Sequence, residues 1–424
     1  MKRMFLILFM FFWLIIPVYA EDSNLDSSDK KEQSTVNSED SNSVDDNSES
    51  KESTTNESSN KSSSGVNLAE NAKSAIMIEA STGKVIFEKN SNEKLPMASM
   101  TKMMTLLLIM ENIENGNLKW SEKVTTSEHA ASMGGSQIFL EVGEEMTVEE
   151  LVKGICIGSG NDAAVAMAER IGGTEEEFVK MMNKRAKELG LKDTNFVNAC
   201  GLDADNHYSS SYDMAMIAKE LVKYDKILEY TGTYEDYLRK GTDKSFWLVN
   251  TNKLVRYYSG VDGLKTGYTE TAGYCITTTA KKNDMRLITV VMGEPSSSVR
   301  NSETTSMLDY GFNTYKIDKV LSKNKVLSNK KVELGIITNV NVVPREDVNI
   351  LNNKVGTKRN VTYEVEIDDI KAPVKKGDVV GKINVIENNK TIMTVDCTVD
   401  KNIDRASIVR VYFRNLLDVV KGTF

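Results

Sequence analysis

Residues 96–110 read PMASMTKMMTLLLIM, a proline followed by small and hydroxyl-bearing residues and then by a long apolar run. This stretch predicts a helix that begins near Met100, with Gly116 as a suitable stop. Its apolar positions recur at intervals of three and four residues: Met103, Leu106, Leu107 and Met110. Ser99 and Lys102 are three residues apart, so on a helix they project from the same face. Burial of Lys102 would disfavour its charged form and make it a base that can activate the Ser99 hydroxyl.

Two more short motifs follow at wide intervals, Ser159-Gly160-Asn161 and Lys265-Thr266-Gly267. Ser-Gly-Asn is typical of a turn, and here it precedes a helical pattern that begins at Asp162. Gly267 has no side chain, so another backbone can approach a strand closely at that point. A lone Ser-x-x-Lys is weak evidence because chance matches are common. All three motifs in this order are the signature set of serine β-lactamases and penicillin-binding proteins.

The chain resembles the low-molecular-mass penicillin-binding proteins, specifically the D-alanyl-D-alanine carboxypeptidases. Besides the motifs, segments 135–140, 158–168 and 262–264 look like this family. The resemblance implies an α+β fold. A serine β-lactamase/DD-peptidase-like domain, with an antiparallel sheet and a helical cluster, would be followed by a small all-β domain and a C-terminal amphipathic helix. It also implies serine-type D-Ala-D-Ala carboxypeptidase activity on peptidoglycan, without a cofactor or metal and without a nucleic-acid partner.

The resemblance assigns roles to the motif residues. Ser99 would attack the carbonyl of the penultimate D-alanine in a stem pentapeptide and form an acyl-enzyme. Lys102 is the leading candidate to accept its proton, although the identity of the acylation base stays open. Ser159 would pass that proton to the leaving amine, and Asn161 would hold the substrate amide. The backbone N–H groups of Ser99 and Tyr268 would form the oxyanion hole.

A carboxypeptidase must also recognise the free carboxylate of its substrate. Lys265 would add positive charge, Thr266 would donate a hydrogen bond, and Gly267 would leave room on an edge strand that lines the cleft. Arg300 looks like the family's carboxylate-binding arginine by its position before the last helix of the domain. The alternative for Arg300 is an ordinary surface arginine near a helix start.

Two other functions compete with this prediction. A class A β-lactamase needs a glutamate that activates the deacylating water, typically within Glu-x-x-Leu-Asn. No such run lies between Asn161 and Lys265. A wall-binding protein without turnover is the second alternative, and the intact motifs argue against it. We therefore expect penicillin to acylate Ser99 and to leave slowly, as an inhibitor.

The pattern of the chain predicts its organisation. Strands are expected at 75–80, 84–87, 273–280 and 286–292, helices between about 100 and 223, and a closing helix at 302–310. Short β-branched runs after about residue 315 predict a small all-β domain. The expected units are a signal peptide (1–20), an acidic Ser/Asn-rich tether (21–66), the catalytic domain (67–314), the β domain (315–400) and a terminal helix (401–424).

The two ends of the chain predict a location outside the cytoplasm. Residues 1–20 have the charge, apolar run and small-residue site of a secretory signal, with an uncleaved anchor as the alternative. Residues 21–65 contain twelve acidic residues and four lysines, a net charge of −8 that equals the net of the whole chain. Such a composition favours a disordered spacer. The overall acidity therefore says little about the active site.

The C-terminal helix has an apolar and a polar face. Its apolar positions are Val409, Tyr412, Phe413, Leu416 and Val420, and its polar positions are Arg410, Arg414, Asp418 and Lys421. The family resemblance favours a helix that lies in the membrane surface. The alternative is an ordinary helix packed on the β domain, and periodicity does not separate the two.

The remaining reactive residues suggest no second site. The four cysteines lack a close paired spacing, and two lie in apolar stretches, so no disulfide is expected. The two histidines, His129 and His207, have no metal-ligand cluster beside them in the sequence. Asp213 is expected to be the N-cap of a helix.

Overall fold

The computed structural model describes residues 66–357 and 359–421. The predicted signal peptide and nearly all of the predicted tether lie outside these residues. The same holds for the last three positions of the predicted terminal helix, which are 422–424.

Up to residue 314 the chain contains nine helices and nine strands within the described residues, and most of the helices lie between β2 and β7. The first half contains β1 (Ser74–Glu79), β2 (Val85–Lys89), a 3₁₀ turn (Ala98–Thr101), α1 (Lys102–Glu114), β3 (Lys123–Thr125), α2 (Glu128–Ala131), β4 (Glu145–Thr147), α3 (Val148–Lys153), a π turn (Gly154–Gly158), α4 (Asn161–Gly172) and α5 (Glu175–Glu188). The second half contains α6 (Ser211–Leu221), α7 (Asp225–Thr231), β5 (Glu235–Leu238), β6 (Phe246–Val249), α8 (Leu254–Tyr257), β7 (Val261–Thr269), β8 (Gly273–Lys282), β9 (Met285–Glu294) and α9 (Ser297–Thr314).

A five-stranded antiparallel sheet joins the two ends of this region, with strand order β2-β1-β9-β8-β7. Side chains alternate across its two faces, as the period of a strand requires. On β1, Ile76 and Ile78 pack into the helical cluster, whereas Ala75 and Met77 pack against the layer that contains α9. The predicted α+β architecture is confirmed.

Helix α1 lies in the middle of the helical cluster. Every residue from Lys102 to Met110 is buried, so the burial extends around the whole helix and not only along the apolar stripe that the sequence shows. A helix that is buried on all sides belongs to a core. The expected helix is therefore confirmed, and it begins as a 3₁₀ turn that contains Ser99.

Helix α4 is also buried, and small residues let its neighbours approach closely. Gly172 ends α4, and a Cβ at this position would be 2.6 Å from the backbone nitrogen of Phe178 in α5. Phe178 is fully buried. The contact between α4 and α5 therefore depends on the missing side chain of Gly172.

Two local predictions were wrong. Asp213 is not an N-cap: the Ser210 hydroxyl caps α6 and accepts a 3.1 Å hydrogen bond from the Asp213 N–H. The Asp213 carboxylate instead accepts hydrogen bonds from the loop at Asp193 and Thr194. The closing helix α9 begins before the predicted range, at Ser297, because Ser296 caps it. Arg300 therefore lies inside the first turns of α9 and not before the helix.

The remaining strands form an all-β region. They are β10 (Tyr315–Leu321), β11 (Ser328–Glu333), β12 (Asn339–Pro344), β13 (Val348–Asn353), β14 (Val361–Ile367), β15 (Ile370–Lys371), β16 (Gly381–Glu387) and β17 (Lys390–Val399). The six-stranded sheet has the order β14-β16-β17-β12-β11-β15, and β10 pairs with β13. Their buried valines and isoleucines share a separate core. The sequence patterns did not identify β10, β12, β13 and β15.

Helix α10 (Ile408–Lys421) ends the described chain. Arg414 donates a 2.9 Å hydrogen bond to the Gly335 carbonyl, which ties one face of the helix to the β region. Six of its large apolar residues are exposed: Ile408, Val409, Tyr412, Phe413, Leu416 and Leu417. Within residues 66–357 and 359–421, no helix has the length and apolar character to cross a membrane. All four cysteines are buried free thiols.

We expect Gly172→Ala to lower the free energy of unfolding by about 1–2 kcal/mol, because the new methyl group overlaps the backbone of α5. The intrinsic helix preference of alanine offsets part of this loss. Urea denaturation measures the change. Gly134→Ala is the matched control, since a Cβ at Gly134 meets nothing within 4 Å. Equal stabilities of the two variants would show that the α4–α5 contact does not depend on Gly172.

Candidate active site

Ser99 and Lys102 meet at the start of α1. Lys102 is fully buried, and its Nζ lies 2.9 Å from the Ser99 Oγ. The same nitrogen lies 2.6 Å from Asn161 Oδ1 and 2.7 Å from the backbone oxygen of Cys200. The 3₁₀ turn thus places the two residues as the three-residue spacing predicts.

The surroundings of Lys102 change its acidity. Burial lowers the pKa of Lys102 from 10.5 to about 8, against the opposing effects of Cys200 and Asp162. As an ammonium, the nitrogen donates to all three of its neighbours. As a neutral amine, it donates to Asn161 and Cys200 and turns its lone pair toward the hydroxyl of Ser99. This arrangement can take a proton from Ser99.

The turn that carries Ser99 has an unusual backbone. Ala98 has a φ of 47°, in the left-handed region that residues other than glycine seldom adopt. Two glycines press against this turn. A Cβ at Gly201 would be 2.0 Å from the Ala98 carbonyl oxygen, and one at Gly267 would be 2.7 Å from the Met97 carbonyl oxygen. The turn is therefore held between a loop and the strand β7.

The second motif forms the predicted turn before a helix. Ser159 follows the π turn with a φ of 62° and is 3% exposed. Asn161 is the first residue of α4. Both ends of its amide are engaged: Oδ1 accepts from Lys102, and Nδ2 donates a 2.6 Å hydrogen bond to the Gly134 carbonyl. In this structure Asn161 therefore contacts Lys102 and the neighbouring segment.

Asp162 supports that segment. Its buried carboxylate accepts hydrogen bonds from the backbone N–H groups of Ile138 and Leu140, at 3.0 and 3.1 Å. These contacts bring residues 134–140 beside α4. Residues 135–140, which resemble the family in sequence, therefore form part of the wall of the site.

The third motif lies on β7, the edge strand of the large sheet, as predicted. Lys265 is 1% exposed and donates a 3.0 Å hydrogen bond to the Thr266 carbonyl. The Thr266 hydroxyl donates to Thr251 at 2.8 Å. Tyr268 follows Gly267 and stacks its exposed ring on Tyr274, with centroids 4.4 Å apart.

Three buried basic side chains lie close enough to affect one another's pKa. Burial lowers the pKa of Lys265 well below its ordinary value, and the charges of Lys102 and Arg300 lower it further. Arg300 is 5% exposed and donates from Nε and Nη2 to Asn301 Oδ1, at 3.2 and 3.0 Å. In the part of the chain that the structure describes, none of the three forms an ion pair with a carboxylate. Such a site can bind an anion.

Several residues outside the three motifs support the site. His207 lies 2.8 Å from the Thr101 hydroxyl, although the two residues are 106 positions apart. Glu175 accepts a 2.8 Å hydrogen bond from the Ala199 N–H, and Thr105 donates to the Ala199 carbonyl at 2.6 Å. These contacts hold the loop whose Cys200 carbonyl faces Lys102. No local spacing predicts them, because each joins distant parts of the chain.

Comparisons with known proteins agree with this geometry. Residues 57–296 match the family model for D-alanyl-D-alanine carboxypeptidase, and residues 315–405 match the model for the penicillin-binding protein 5 C-terminal domain. The D-alanyl-D-alanine carboxypeptidase DacF of Bacillus subtilis is 51% identical over 84% of this chain and 91% of its own length. DacA of Escherichia coli K12 is 33% identical over 84% of this chain and 88% of its own length.

Solved structures give the same result. Penicillin binding protein 5 from Haemophilus influenzae superposes with a TM-score of 0.63 at 31% identity, covering 79% of this chain and 98% of that one. Penicillin-binding protein D2 from Listeria monocytogenes, in an ampicillin-bound form, has a TM-score of 0.52 at 31% identity and covers 57% of this chain and 98% of that one.

Proposed function

The chain belongs to the D-alanyl-D-alanine carboxypeptidase family and is a serine-type hydrolase of that family, and we propose that Ser99 is the nucleophile of its reaction. The observation that carries this assignment is the 2.9 Å contact between Lys102 Nζ and Ser99 Oγ at a fully buried lysine. The substrate is the peptidoglycan stem pentapeptide, and the product released first is its terminal D-alanine.

Acylation begins with the neutral amine of Lys102, whose lone pair faces the Ser99 hydroxyl. This amine takes the hydroxyl proton as Ser99 Oγ bonds to the carbonyl carbon of the penultimate D-alanine. The backbone N–H groups of Ser99 and Tyr268 stabilise the negative charge on the carbonyl oxygen. The C–N bond to the terminal D-alanine then breaks, and the leaving nitrogen receives the proton from Lys102 through the Ser159 hydroxyl.

Deacylation reverses these proton movements with water as the nucleophile. Water loses a proton to Lys102 as its oxygen bonds to the acyl carbon. The ester bond to Ser99 breaks, and Ser99 Oγ takes from Lys102 the proton that the water gave up. A β-lactam acylates the same oxygen, and its acyl group leaves slowly, which makes it an inhibitor. The ampicillin-bound structure of the Listeria relative supports this assignment.

The terminal carboxylate of the substrate binds among the buried cations. Lys265 and Arg300 supply the positive charge, Thr266 donates a hydrogen bond, and Gly267 leaves room for the substrate backbone. An anion at this place raises the pKa of Lys265, because an opposite charge favours the charged form. Asn161 holds Lys102 in place, and its contact with the substrate amide requires a new partner for one end of its own amide.

The remaining parts of the chain place the enzyme at the cell surface. Residues 1–20 direct export, residues 21–66 are a spacer, and residues 67–314 form the catalytic domain. Residues 315–400 form a β domain that carries the terminal helix. The exposed apolar residues of α10 lie in the surface of the membrane, with the exposed Arg410 near anionic headgroups. The peptidase thus acts on peptidoglycan at the outer face of the membrane.

The first prediction concerns the nucleophile. Ser99→Ala removes the attacking oxygen, so labelling by a fluorescent penicillin and release of D-alanine from a pentapeptide should both fall more than about a thousandfold. Ser306→Ala, which changes an exposed serine on α9, should retain both activities. Labelling that persists in Ser99→Ala would contradict the assignment.

The second prediction concerns the base. The second-order rate constant for penicillin acylation reports the free enzyme, so it should rise about tenfold per pH unit below the pKa of Lys102 and level off above it. The expected midpoint is about pH 8, because the pKa of Lys102 is lowered to about 8 and only its neutral form accepts the proton. Lys102→Arg keeps the positive charge but does not deprotonate, so it should abolish acylation at every pH. A profile that does not change around pH 8 would exclude Lys102 as the base.

The third prediction concerns α10. Phe413→Asp places a charge on the exposed apolar face. It should weaken binding to vesicles of anionic phospholipid by about ten- to a hundredfold, because burial of one aromatic side chain contributes about that much to the affinity. Asn415→Asp adds the same charge at an exposed polar position of the helix. Sedimentation with vesicles measures both variants. Equal binding by the two variants would assign α10 to packing on the β region instead.

A further inference from the structure

A chain of hydrogen bonds connects His207 to the turn that carries Ser99. The Val197 N–H donates to His207 Nδ1 at 2.9 Å. His207 Nε2 lies 2.8 Å from Thr101 Oγ1, and this hydroxyl lies 2.9 Å from the Ala98 carbonyl oxygen, to which it donates. This series of hydrogen bonds therefore begins in the loop after α5 and ends at Ala98, the residue before Ser99.

The surroundings fix the direction of every bond in this chain. Because His207 Nδ1 accepts from a backbone N–H, the proton of the neutral ring lies on Nε2. Nε2 then donates to the Thr101 hydroxyl, which leaves the hydroxyl proton for the Ala98 carbonyl. His207 is 6% exposed and Thr101 is fully buried. Burial lowers the pKa of His207 to about 4, so the ring is neutral at physiological pH.

The carbonyl at the end of this chain belongs to a strained residue. Ala98 has a φ of 47°, a conformation that persists only where its surroundings impose it. Gly201 presses against the Ala98 carbonyl from the loop, and a Cβ there would be 2.9 Å from the Ser99 nitrogen as well. The Thr101 hydroxyl holds the same carbonyl from within the turn. The peptide plane between Ala98 and Ser99 is thus held by two separate contacts.

We propose that His207 is a positioning residue for Ser99. Through Thr101 it holds the Ala98–Ser99 peptide plane in the orientation that acylation requires. That plane carries the Ser99 N–H, which is one of the two donors of the proposed oxyanion hole. The proposal rests on the assignment of Ser99 as the nucleophile. His207 acts on the covalent step and not on substrate binding, because the carboxylate site lies on β7 and α9.

The test is the acylation of the full chain by a fluorescent penicillin, resolved into the dissociation constant of the noncovalent complex and the rate constant of acylation. His207→Phe and Thr101→Val each break the chain of hydrogen bonds. Each should lower the acylation rate constant by ten- to a hundredfold and change the dissociation constant less than threefold. Thr101→Ser keeps the hydroxyl and should remain within about fivefold of the wild type.

The double variant His207→Phe/Thr101→Val distinguishes this role from a general loss of structure. If His207 acts through Thr101, the double variant should be no more than about threefold slower than the slower single variant. A loss equal to the product of the two single losses would overturn the proposal. A wild-type acylation rate constant in His207→Phe would overturn it as well, and so would a change confined to the dissociation constant.

A second pair of variants decides the matter if His207→Phe does not fold, which its thermal melt reveals. His207→Gln places an amide N–H near the position of Nε2, whereas His207→Asn reaches only the position of Nδ1. The glutamine variant should acylate at least fivefold faster than the asparagine variant, and equal rates would overturn the proposal. Ser99→Ala separates the two assignments. Labelling of this variant by the fluorescent penicillin would refute the role of Ser99 itself. If Ser99→Ala is not labelled and the His207 variants acylate at the wild-type rate, only the role of His207 is refuted.

Discussion

The burial of the Lys102 amine is the constraint on which the site depends. An ammonium ion taken out of water loses its hydration, and that cost falls only if the group loses its proton or finds partners. Here the partners are three oxygens, and in the described chain none of them belongs to a carboxylate. The pKa is therefore lowered to about 8, and the neutral amine is accessible near neutral pH. The same burial that costs free energy of folding gives the lysine a neutral form that can act as a base.

Each partner of Lys102 comes from a different part of the chain. Ser99 lies in the preceding turn, Asn161 begins α4, and the Cys200 carbonyl belongs to a loop that Glu175 and Thr105 hold in place. The helix α1 therefore has to lie at the centre of the helical cluster, where these three segments converge. This position explains why α1 is buried on every side from Lys102 to Met110.

The charge of the cleft has a local origin. The net charge of the whole chain equals that of residues 21–65, so the remainder of the chain is close to neutral. The cleft nevertheless concentrates three basic side chains, because Lys102, Lys265 and Arg300 are buried near each other. The positive charges of Lys102 and Arg300 help to lower the pKa of Lys265, and an anionic group that enters the site favours the charged form of that lysine. Burial thus lowers the pKa of both lysines, the proposed base Lys102 and Lys265 of the proposed carboxylate site.

The sequence by itself determined the three motifs, the family and the nature of the main elements. Helical periodicity, turn residues and the three-residue spacing of Ser99 and Lys102 are local properties, and local properties can be read along the chain. Where neighbouring residues compete, the local signal was insufficient: Ser210 caps α6 in place of Asp213, and the cap at Ser296 puts Arg300 inside α9. Strand β10 was missed because it follows α9 without a break.

Only the tertiary structure decided the contacts of Asn161, Cys200 and His207 with the start of α1. The partners in these contacts are separated along the sequence by 59, 98 and 106 positions, respectively. Such contacts form because the sheet and the helical cluster bring distant segments together. The spacing of residues along the chain carries no information about them.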